Sequence, residues 1–482
     1  MSFVLKRICI LSLLVSFVFL TGCPPQRPAK EEIEKRRAAQ KAILEKQAEQ
    51  TPLPKTAPNS APKPAAAPAP RPASTPQRPA PPARPSAPPQ PAVPPMTAAE
   101  LEVKALVERF GTETNSYKSS PARAINELFI NTDELALEDV ELIAKLTGLE
   151  KLSFTACRAF NDEYTNALLP LKDSLTFLKI GNSRITNKSA EIISEFPNLV
   201  ELNLERNTGI GTPACRFFAN MEKLERLNLI YTGISETGLS GIRRIPNLQA
   251  LDIRGCTIIA DNGMKRIAEI PNLKSFQHYS NSVSDAGLEE LTAAEKIESL
   301  FLQDFRLTDA AGQSLRKFKN LTSLILFRCG EFGSQGLLEL KGMPLTRLTL
   351  RGLPSLGNDG FEVFRALPNL KRLYLTELDA VNDAAFIPIA GLNNLEVLEV
   401  EIVGITDEAL KSIAKLQNLR ELKLRSVGIT DAGLEEILKL PKLTSLKLLD
   451  NVGINEAAAK EKFAAKNYNT IEIGRSRGET QE

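Results

Sequence analysis

The sequence predicts an α/β solenoid, a stack of short units that each supply one β-strand and one helical segment. Two observations support this fold class. An apolar motif of the form LxxLxL recurs fourteen to fifteen times, at a spacing of 24 or 25 residues with one step of 26. The apolar residues of each motif alternate as in a strand, and those that follow are spaced as in a helix. A single unit cannot bury its apolar face, whereas stacked units shield one another.

The composition excludes several classes of function. The 482 residues carry 60 Lys and Arg against 58 Asp and Glu, so the basic excess that is typical of nucleic-acid binders is missing. The single His in the chain excludes His-rich metal sites, and we do not expect His-based acid–base catalysis. The sequence contains no GxSxG, HExxH, CxxC or phosphate-loop motif. We therefore expect no enzymatic activity, no cofactor, no metal and no nucleic-acid partner.

Residues 1–22 have the pattern of a secretory signal peptide. Lys6 and Arg7 precede an apolar run of about 13 residues, which is too short for a comfortable membrane span. The run ends in Leu-Thr-Gly-Cys, which resembles the lipobox of bacterial lipoproteins. The resemblance implies cleavage before Cys23 and lipidation of its thiol, and the alternative is an ordinary signal followed by a chance Cys. Because Pro24 stands where an Asp would favour inner-membrane retention, we expect a lipid-anchored protein of the bacterial cell envelope, with the outer membrane favoured.

A stalk follows the lipidation site. Residues 23–50 comprise the expected lipidated N-terminus and, over residues 29–50, a charged and Ala-rich segment consistent with a solvated helix. Residues 51–95 contain about 18 prolines and no acidic residue, which predicts an extended linker that spans up to about 140 Å. Two interpretations of this basic linker stay open: it keeps the chain soluble, or it contacts anionic envelope polymer or lipid headgroups.

Residues 96–120 predict a helical cap on the first unit. Thr97 and Glu100 form a capping-box pattern, and Leu101, Leu106, Val107 and Phe110 supply an apolar face. The repeats occupy residues 121–474, and residues 475–482 predict a flexible tail. The last, degraded unit begins near Tyr468.

The start of each helical segment carries a recurring pair. Thr430 is the expected N-cap, and Asp431 follows where the helix dipole favours a negative charge. The same pair recurs at Thr406-Asp407, Thr308-Asp309 and Ser284-Asp285.

The repeats resemble the leucine-rich repeat family, over about three quarters of the chain. Their form is similar to the cysteine-containing subclass and to bacterial leucine-rich repeat lipoproteins. The resemblance implies a right-handed solenoid with a parallel sheet on the concave side and helices on the convex side. It also implies that the ninth residue of a unit turns inward and bonds loop backbone, as a structural ladder of Cys157, Asn207, Cys256, Asn281, Cys329 and Asn451.

The cysteines and the histidine have structural interpretations. Cys157, Cys256 and Cys329 share one repeat position but lie three or four units apart, which is too far for a disulfide. We therefore predict free, buried thiols. His278 stands at the sixth repeat position, which normally points inward, and we expect a buried and hydrogen-bonded ring.

Repeat positions three, five, seven and eight should face solvent on the sheet. In the central units these positions hold aromatic, aliphatic and Arg residues, the composition of interface hot spots. The alternative is that aromatic residues merely suit strands and stack along the ladder. The candidate partner-binding residues are Ile230, Tyr231, Arg254, Tyr279, Phe301, Ile325, Phe327, Arg347, Arg351, Arg372 and Tyr374. Toward the C-terminus, Glu399–Lys423 and Glu401–Arg425 should be ion pairs between neighbouring units.

Three functional hypotheses follow. The first is a monomeric module that binds a protein or peptide on its concave face and meets the membrane only through its lipid. The second is a structural spacer or scaffold of the envelope. The third is an F-box-like substrate receptor of a ubiquitin ligase, since the same repeat subclass occurs in such receptors. We expect no F-box-like module before the repeats, where signal, stalk and cap fill the space.

Overall fold

The computed structural model describes residues 95–120 and 123–476. Within them one sheet of 16 strands follows the order of the chain. The first two strands are antiparallel, and every later strand joins its predecessor in parallel. The fold is therefore the predicted α/β solenoid. The predicted signal peptide, Cys23 and the linker up to Pro94 lie outside the described residues.

The strands of the described residues alternate with helical segments. The strands are β1 Ser116–Ser120, β2 Arg123–Asn131, β3 Lys151–Thr155, β4 Phe177–Gly181, β5 Glu201–Asn203, β6 Arg226–Asn228, β7 Ala250–Asp252, β8 Ser275–Tyr279, β9 Ser299–Gln303, β10 Ser323–Phe327, β11 Arg347–Arg351, β12 Arg372–Asn382, β13 Val397–Gly404, β14 Glu421–Arg425, β15 Ser445–Leu449 and β16 Thr470–Gly474.

Most of the helices in these residues are short. The α-helices are α1 Ala98–Phe110, α2 Leu137–Ile143, α3 Asp162–Ala167, α4 Asn187–Ile193, α5 Cys215–Phe218, α6 Leu239–Ile242, α7 Asp261–Ala268, α8 Asp285–Leu291, α9 Ala311–Leu315, α10 Ser334–Leu338, α11 Phe386–Ile389, α12 Asp407–Ile413, α13 Leu434–Leu438 and α14 Glu456–Phe463. The 3-10 segments are Leu169–Leu171, Thr212–Ala214, Asn358–Ala366, Asp383–Ala385 and Asp431–Gly433. None of the helices in the described part of the chain has the length and apolar character needed to span a membrane.

The core lies between the sheet and the row of helices. In β10, Leu324 and Leu326 are fully buried, whereas Ile325 and Phe327 stay partly exposed. The same two-residue alternation recurs in neighbouring strands, and Leu324 pairs in register with Leu300 and Leu348. Helices of four to eight residues are not stable alone, so burial against the sheet holds them in place.

The N-terminal cap is more elaborate than the sequence predicts. Thr97 and Glu100 form the predicted capping box at the start of α1. Val103, Leu106 and Val107 are buried, but Leu101 is 55% exposed. The prediction that Leu101 belongs to the apolar face of the cap is therefore wrong. Strand β1 extends the sheet beyond β2, and the sequence signal for it is weak because Ser116–Ser120 lacks alternating apolar residues.

The ninth-position ladder is confirmed at five of its six predicted residues. Each of these side chains donates a hydrogen bond to the carbonyl of the sixth residue in the preceding unit. The contacts are Cys157 Sγ to Ile130 O (3.8 Å), Asn207 Nδ2 to Ile180 O (2.6 Å), Cys256 Sγ to Leu229 O (3.3 Å), Cys329 Sγ to Leu302 O (3.7 Å) and Asn451 Nδ2 to Leu424 O (2.9 Å). The ladder therefore ties successive units together from within the core.

Asn281 is the exception, and its predicted ladder role is wrong. Its side chain is exposed, and the imidazole of His278 takes its place, with Nδ1 3.1 Å from the carbonyl oxygen of Ile253. Ile253 is the sixth residue of the preceding unit, so the bond completes the ladder from a different position. The backbone explains the change. Asp304 and Arg328 adopt positive φ after their strands, whereas Ser280 does not, and the following Asn281 therefore points outward.

The cysteine prediction is confirmed for the four thiols that the structure describes. Cys157, Cys215, Cys256 and Cys329 are free and buried. Burial raises the pKa of Cys215 and Cys329 to about 12, so both stay protonated and unreactive at neutral pH.

Aspartates at the helix starts connect neighbouring units. Thr430 is an N-cap, as predicted, since its hydroxyl accepts a hydrogen bond from the backbone N–H of Ala432. Asp407 accepts two further bonds from Thr430, one from its backbone N–H (2.8 Å) and one from its hydroxyl (2.6 Å). The Asp of one unit thus holds the N-cap of the next. The same arrangement occurs at Asp162–Thr186, Asp261–Ser284, Asp285–Thr308 and Asp383–Thr406.

Replacing Asp407 by Ala should therefore destabilise the solenoid by about 2 kcal/mol, because it removes two charge-assisted hydrogen bonds. Urea denaturation of the full chain, followed by circular dichroism, measures the loss. The control is Glu408→Ala, which removes only an exposed ion pair with Lys411 and should change stability by less than about 0.5 kcal/mol. Equal effects of the two substitutions would contradict the connecting role of Asp407.

Candidate docking surface on the sheet

The predicted partner-binding residues lie on one solvent-facing side of the sheet, between β6 and β12. The register of the strands brings them together in rows. One row runs Phe301, Ile325, Thr349 and Tyr374 across β9 to β12, and a second runs Tyr279, Gln303, Phe327 and Arg351 across β8 to β11. We call this side of β6–β12, with the residues that directly follow β6 and β7, the central sheet face.

The side chains of the central sheet face are accessible. Tyr231 is 40% exposed, Arg372 is exposed, and the other nine predicted residues are partly buried. Phe301 and Phe327 therefore reach solvent and do not belong to the core. This geometry allows a partner to contact them.

Several aromatic rings of this face are covered by guanidinium groups, which the sequence does not reveal. Arg254 Cζ lies 5.0 Å from the centroid of Phe301, and Arg347 Cζ lies 4.9 Å from that of Tyr374. Phe327 carries two such groups, from Arg328 and Arg351, each at 4.5 Å. Cation–π contact fixes the long Arg side chains in place, which reduces the entropy that they lose when a partner binds.

Carboxylates that the sequence analysis did not select hold several of these arginines. Asp252 contacts Arg254 at 2.8 Å and Asp304 contacts Arg328 at 2.6 Å, while Arg351 lies 3.3 Å from Glu377. The bond to Asp304 raises the pKa of Arg328. The available sequence signal was position: each acid lies at an outward repeat position beside its arginine.

A groove of about 670 Å³ occupies the N-terminal end of the face and extends it toward β3. Of the predicted residues, four line it: Ile230, Tyr231, Arg254 and Tyr279. Other lining residues were not predicted from the sequence, and they include the ion pair of Lys179 with Glu205 (2.9 Å) and the guanidinium of Arg206 over Tyr231.

Gly255 makes room for the ring of Tyr231. Its φ is +80°, and a Cβ atom at this position would lie 2.3 Å from the ring. A residue with a side chain here would both strain the backbone and displace the ring. The glycine thus fixes the wall of the groove.

The C-terminal units bound the central sheet face with paired charges. Glu399 and Glu401 contact Lys423 at 3.9 and 2.7 Å, and Arg425 lies 3.7 Å from Glu401. The predicted ion pairs are therefore present, with an added diagonal contact. Burial raises the pKa of Glu399. Among the described residues, no group of three His, Cys, Asp or Glu side chains could hold a metal ion.

Comparison with known proteins identifies the repeats. Residues 244–268 and 415–438 match the family model described as leucine-rich repeat. These matches agree with the repeated strand and helix and with the inward ladder. Together they indicate a repeat solenoid of the class that serves as protein-interaction modules. The described residues therefore have the fold of a leucine-rich repeat solenoid.

Individual relatives are distant. F-box/LRR-repeat protein 4 of Bos taurus is 28% identical over 273 residues, which cover 52% of this chain and 43% of that protein. The match thus spans less than half of the relative. The match to a chain of the yeast Rad7–Elc1 complex has a TM-score of 0.49 at 18% identity, and it covers 72% of this chain and 86% of the yeast chain. An internalin from Listeria monocytogenes has a TM-score of 0.43 at 18% identity, with coverages of 68% and 94%.

Proposed function

We propose that this protein is a lipid-anchored docking module of the bacterial envelope, which binds a protein or peptide partner on its central sheet face. The observation that carries the proposal is the row of partly exposed aromatic and aliphatic side chains with arginines around them. Aromatic residues and Arg are the residues most enriched in binding hot spots.

The groove and the fixed arginines support the same function. A partner that covers Phe301 and Phe327 would bury apolar area at side chains already ordered by cation–π contact. The groove around Tyr231 and Tyr279 adds a concave region next to this patch. A solenoid presents such a surface without any further domain.

The anchor rests on the sequence around Cys23. A lipidated N-terminus followed by the linker of residues 51–95 would hold the repeats away from the membrane surface. Metabolic labelling with a fatty-acid analogue tests this part. The wild-type protein should incorporate label and the Cys23→Ala variant should not. Equal labelling of both would remove the anchor.

The docking test replaces Phe301 and Phe327 together by Asp in the full chain. We expect the double variant to lose its partner, because two carboxylates would replace the apolar contact area at the centre of the face. The measurement is site-specific photo-crosslinking from Tyr279 in intact cells, which marks a partner directly.

A matched control separates docking from charge. Gln313→Asp with Gln335→Asp makes the same change in net charge at exposed positions of α9 and α10. The control should keep the crosslinked product, and circular dichroism should show that both variants are folded. If the product persists in the Phe double variant, docking at the central sheet face is wrong.

A structural spacer is the alternative that the long linker favours. Deleting residues 51–95 separates the two ideas. A spacer should fail in cells on length alone, whereas a docking module should still bind its purified partner. Retained function in cells after the deletion would exclude the spacer.

The third hypothesis, a substrate receptor of a ubiquitin ligase, is favoured only by the name of the Bos taurus relative, F-box/LRR-repeat protein 4. The match does not extend over most of that protein. Fractionation of the mature chain tests the idea, since such a receptor would be found in the cytoplasm and a lipoprotein in the membrane fraction.

A further inference from the structure

Two arginines at the C-terminal edge of the central sheet face have no carboxylate partner among the described residues. Arg347 on β11 and Arg372 on β12 are direct register neighbours. Their neighbours Arg328 and Arg351 are each paired with an acid, Asp304 and Glu377. Like charges that stand opposite each other on adjacent strands destabilise a sheet. The unpaired cations are thus a local excess of positive charge in a chain whose total charge is nearly balanced.

Unsatisfied polar atoms concentrate on the same strand. Of the seven buried side-chain atoms without a hydrogen-bond partner in the described residues, three lie on β11: Arg347 Nε, Thr349 Oγ1 and Arg351 Nε. A buried polar atom without a partner destabilises the fold. Strand β11 therefore carries polar groups that its neighbours in the sheet leave unsatisfied.

From these observations we infer that Arg347 and Arg372 bind the carboxylates of an acidic segment of the partner protein. The inference rests on the proposed docking function and specifies its chemistry. Arg347 lies over Tyr374, and a guanidinium that meets a ring through its face keeps N–H groups in its own plane for a carboxylate. Arg372 is exposed beside Arg347 and supplies a second guanidinium group for a carboxylate.

The surroundings limit the length of the acidic segment. On the C-terminal side, Glu399 is in register with Tyr374, and Glu421 stands two strands from Arg372 in the same row. A long run of negative charges would meet these acids and be repelled. One or two acidic residues would fit, whereas a polyanion would not.

The other side of the arginine pair is apolar. Ser323 is the register neighbour of Arg347 on β10, followed along that strand by Ile325 and Phe327. Phe301 lies beside Ile325 on β9. The occupant is therefore a segment with acidic residues over the arginine pair and apolar residues over these side chains.

A nucleic acid fits this surface less well. Single-stranded nucleic acids bind through aromatic faces on which bases stack. Here the rings of Phe301, Phe327 and Tyr374 already carry guanidinium groups. The acids of β13 and β14 would also repel a phosphate backbone.

The test measures binding of a labelled peptide to the full chain by fluorescence anisotropy. The probe has the sequence Gly-Glu-Asp-Gly-Leu-Phe-Leu-Gly, and its partner probe has Gln-Asn in place of Glu-Asp. We expect the acidic peptide to bind at least about tenfold more tightly than the amide peptide, since two charge-assisted contacts are lost in the latter. The preference should shrink as salt is raised.

Substitutions then place the site. Arg347→Gln with Arg372→Gln should abolish the preference for the acidic peptide. The control, Arg244→Gln with Arg306→Gln, removes two exposed arginines that lie off the strands and should keep it. A preference that survives in the first variant overturns the inference. Tighter binding of polyglutamate, heparin or vesicles with anionic lipid than of the acidic peptide overturns it as well.

Failure of the acidic site and failure of the proposed docking function give different experimental outcomes. If the Arg347→Gln/Arg372→Gln variant keeps the crosslinked partner and shows an unchanged peptide preference, the acidic site is wrong and docking stands. If the Phe301→Asp/Phe327→Asp variant keeps the partner too, docking at this face is wrong.

Discussion

Replacing Asn207 by Ala should destabilise the solenoid by about 3 kcal/mol. Asn207 is fully buried, and its Nδ2 donates to the carbonyl of Ile180 at 2.6 Å. Its Oδ1 accepts from the backbone N–H and the hydroxyl of Ser183, at 2.9 and 2.7 Å. The substitution removes the partner of the buried carbonyl of Ile180 and of the two half-buried groups of Ser183, and a buried group without a partner costs about 1–3 kcal/mol. The midpoint of urea denaturation of the full chain measures the loss.

Asn281 provides the matched control. It stands at the same repeat position, and the sequence assigns the two asparagines the same role, but the structure exposes Asn281. Asn281→Ala should therefore change stability by less than about 0.5 kcal/mol. A loss as large as that of Asn207→Ala would show that Asn281 faces inward and that the described loop is wrong.

Acidification should destabilise the protein through His278 before the carboxylates titrate. Burial lowers the pKa of this ring to about 4, from an ordinary value of 6.5. Below pH 6.5 the unfolded chain binds a proton that the folded chain refuses, so stability is lost as the pH falls toward 4. Between pH 6.5 and pH 5 the loss should be about 2 kcal/mol. Denaturation midpoints measured across this range test it.

Because the chain contains a single histidine, a histidine titration can be assigned to His278 without ambiguity. His278→Leu, which installs the residue of the register neighbour Leu302, should remove this loss of stability between pH 6.5 and pH 5. The two carbonyls that contact the ring keep other donors, Cys256 N–H for Ile253 and Ser280 Oγ for Ile259. The imidazole proton signals in NMR should titrate near pH 4. A midpoint near 6.5 would contradict the buried, uncharged ring.

His278 also shows how far repeat position alone predicts a structure. The sixth position predicted a buried, hydrogen-bonded ring, and that prediction is confirmed. The ninth position predicted an inward Asn281, and that prediction is wrong. Unlike a leucine side chain, the imidazole carries a polar nitrogen that reaches the carbonyl of Ile253, and the backbone after β8 takes a different path. Such a choice depends on space within the neighbouring units, which one unit of sequence does not contain.

On the central sheet face, too, repeat position predicts where a residue lies but not which neighbour its side chain contacts. Repeat counting placed Phe301, Ile325, Thr349 and Tyr374 in one row, and the strand register agrees. It could not show that Arg254 and Arg351 lie over aromatic rings. Long side chains choose among several neighbours at similar distances, and small energies decide among them.

The sequence by itself determined the solenoid, the register of its strands, the free thiols and the residues that face solvent. These follow from two periods, one of two residues and one of a whole unit, which recur often enough to fix each position. The tertiary structure alone decided which aspartate holds which N-cap, which ring replaces Asn281 and which arginines stay unpaired. Those contacts join side chains of different units, so their geometry exists only after the units have stacked.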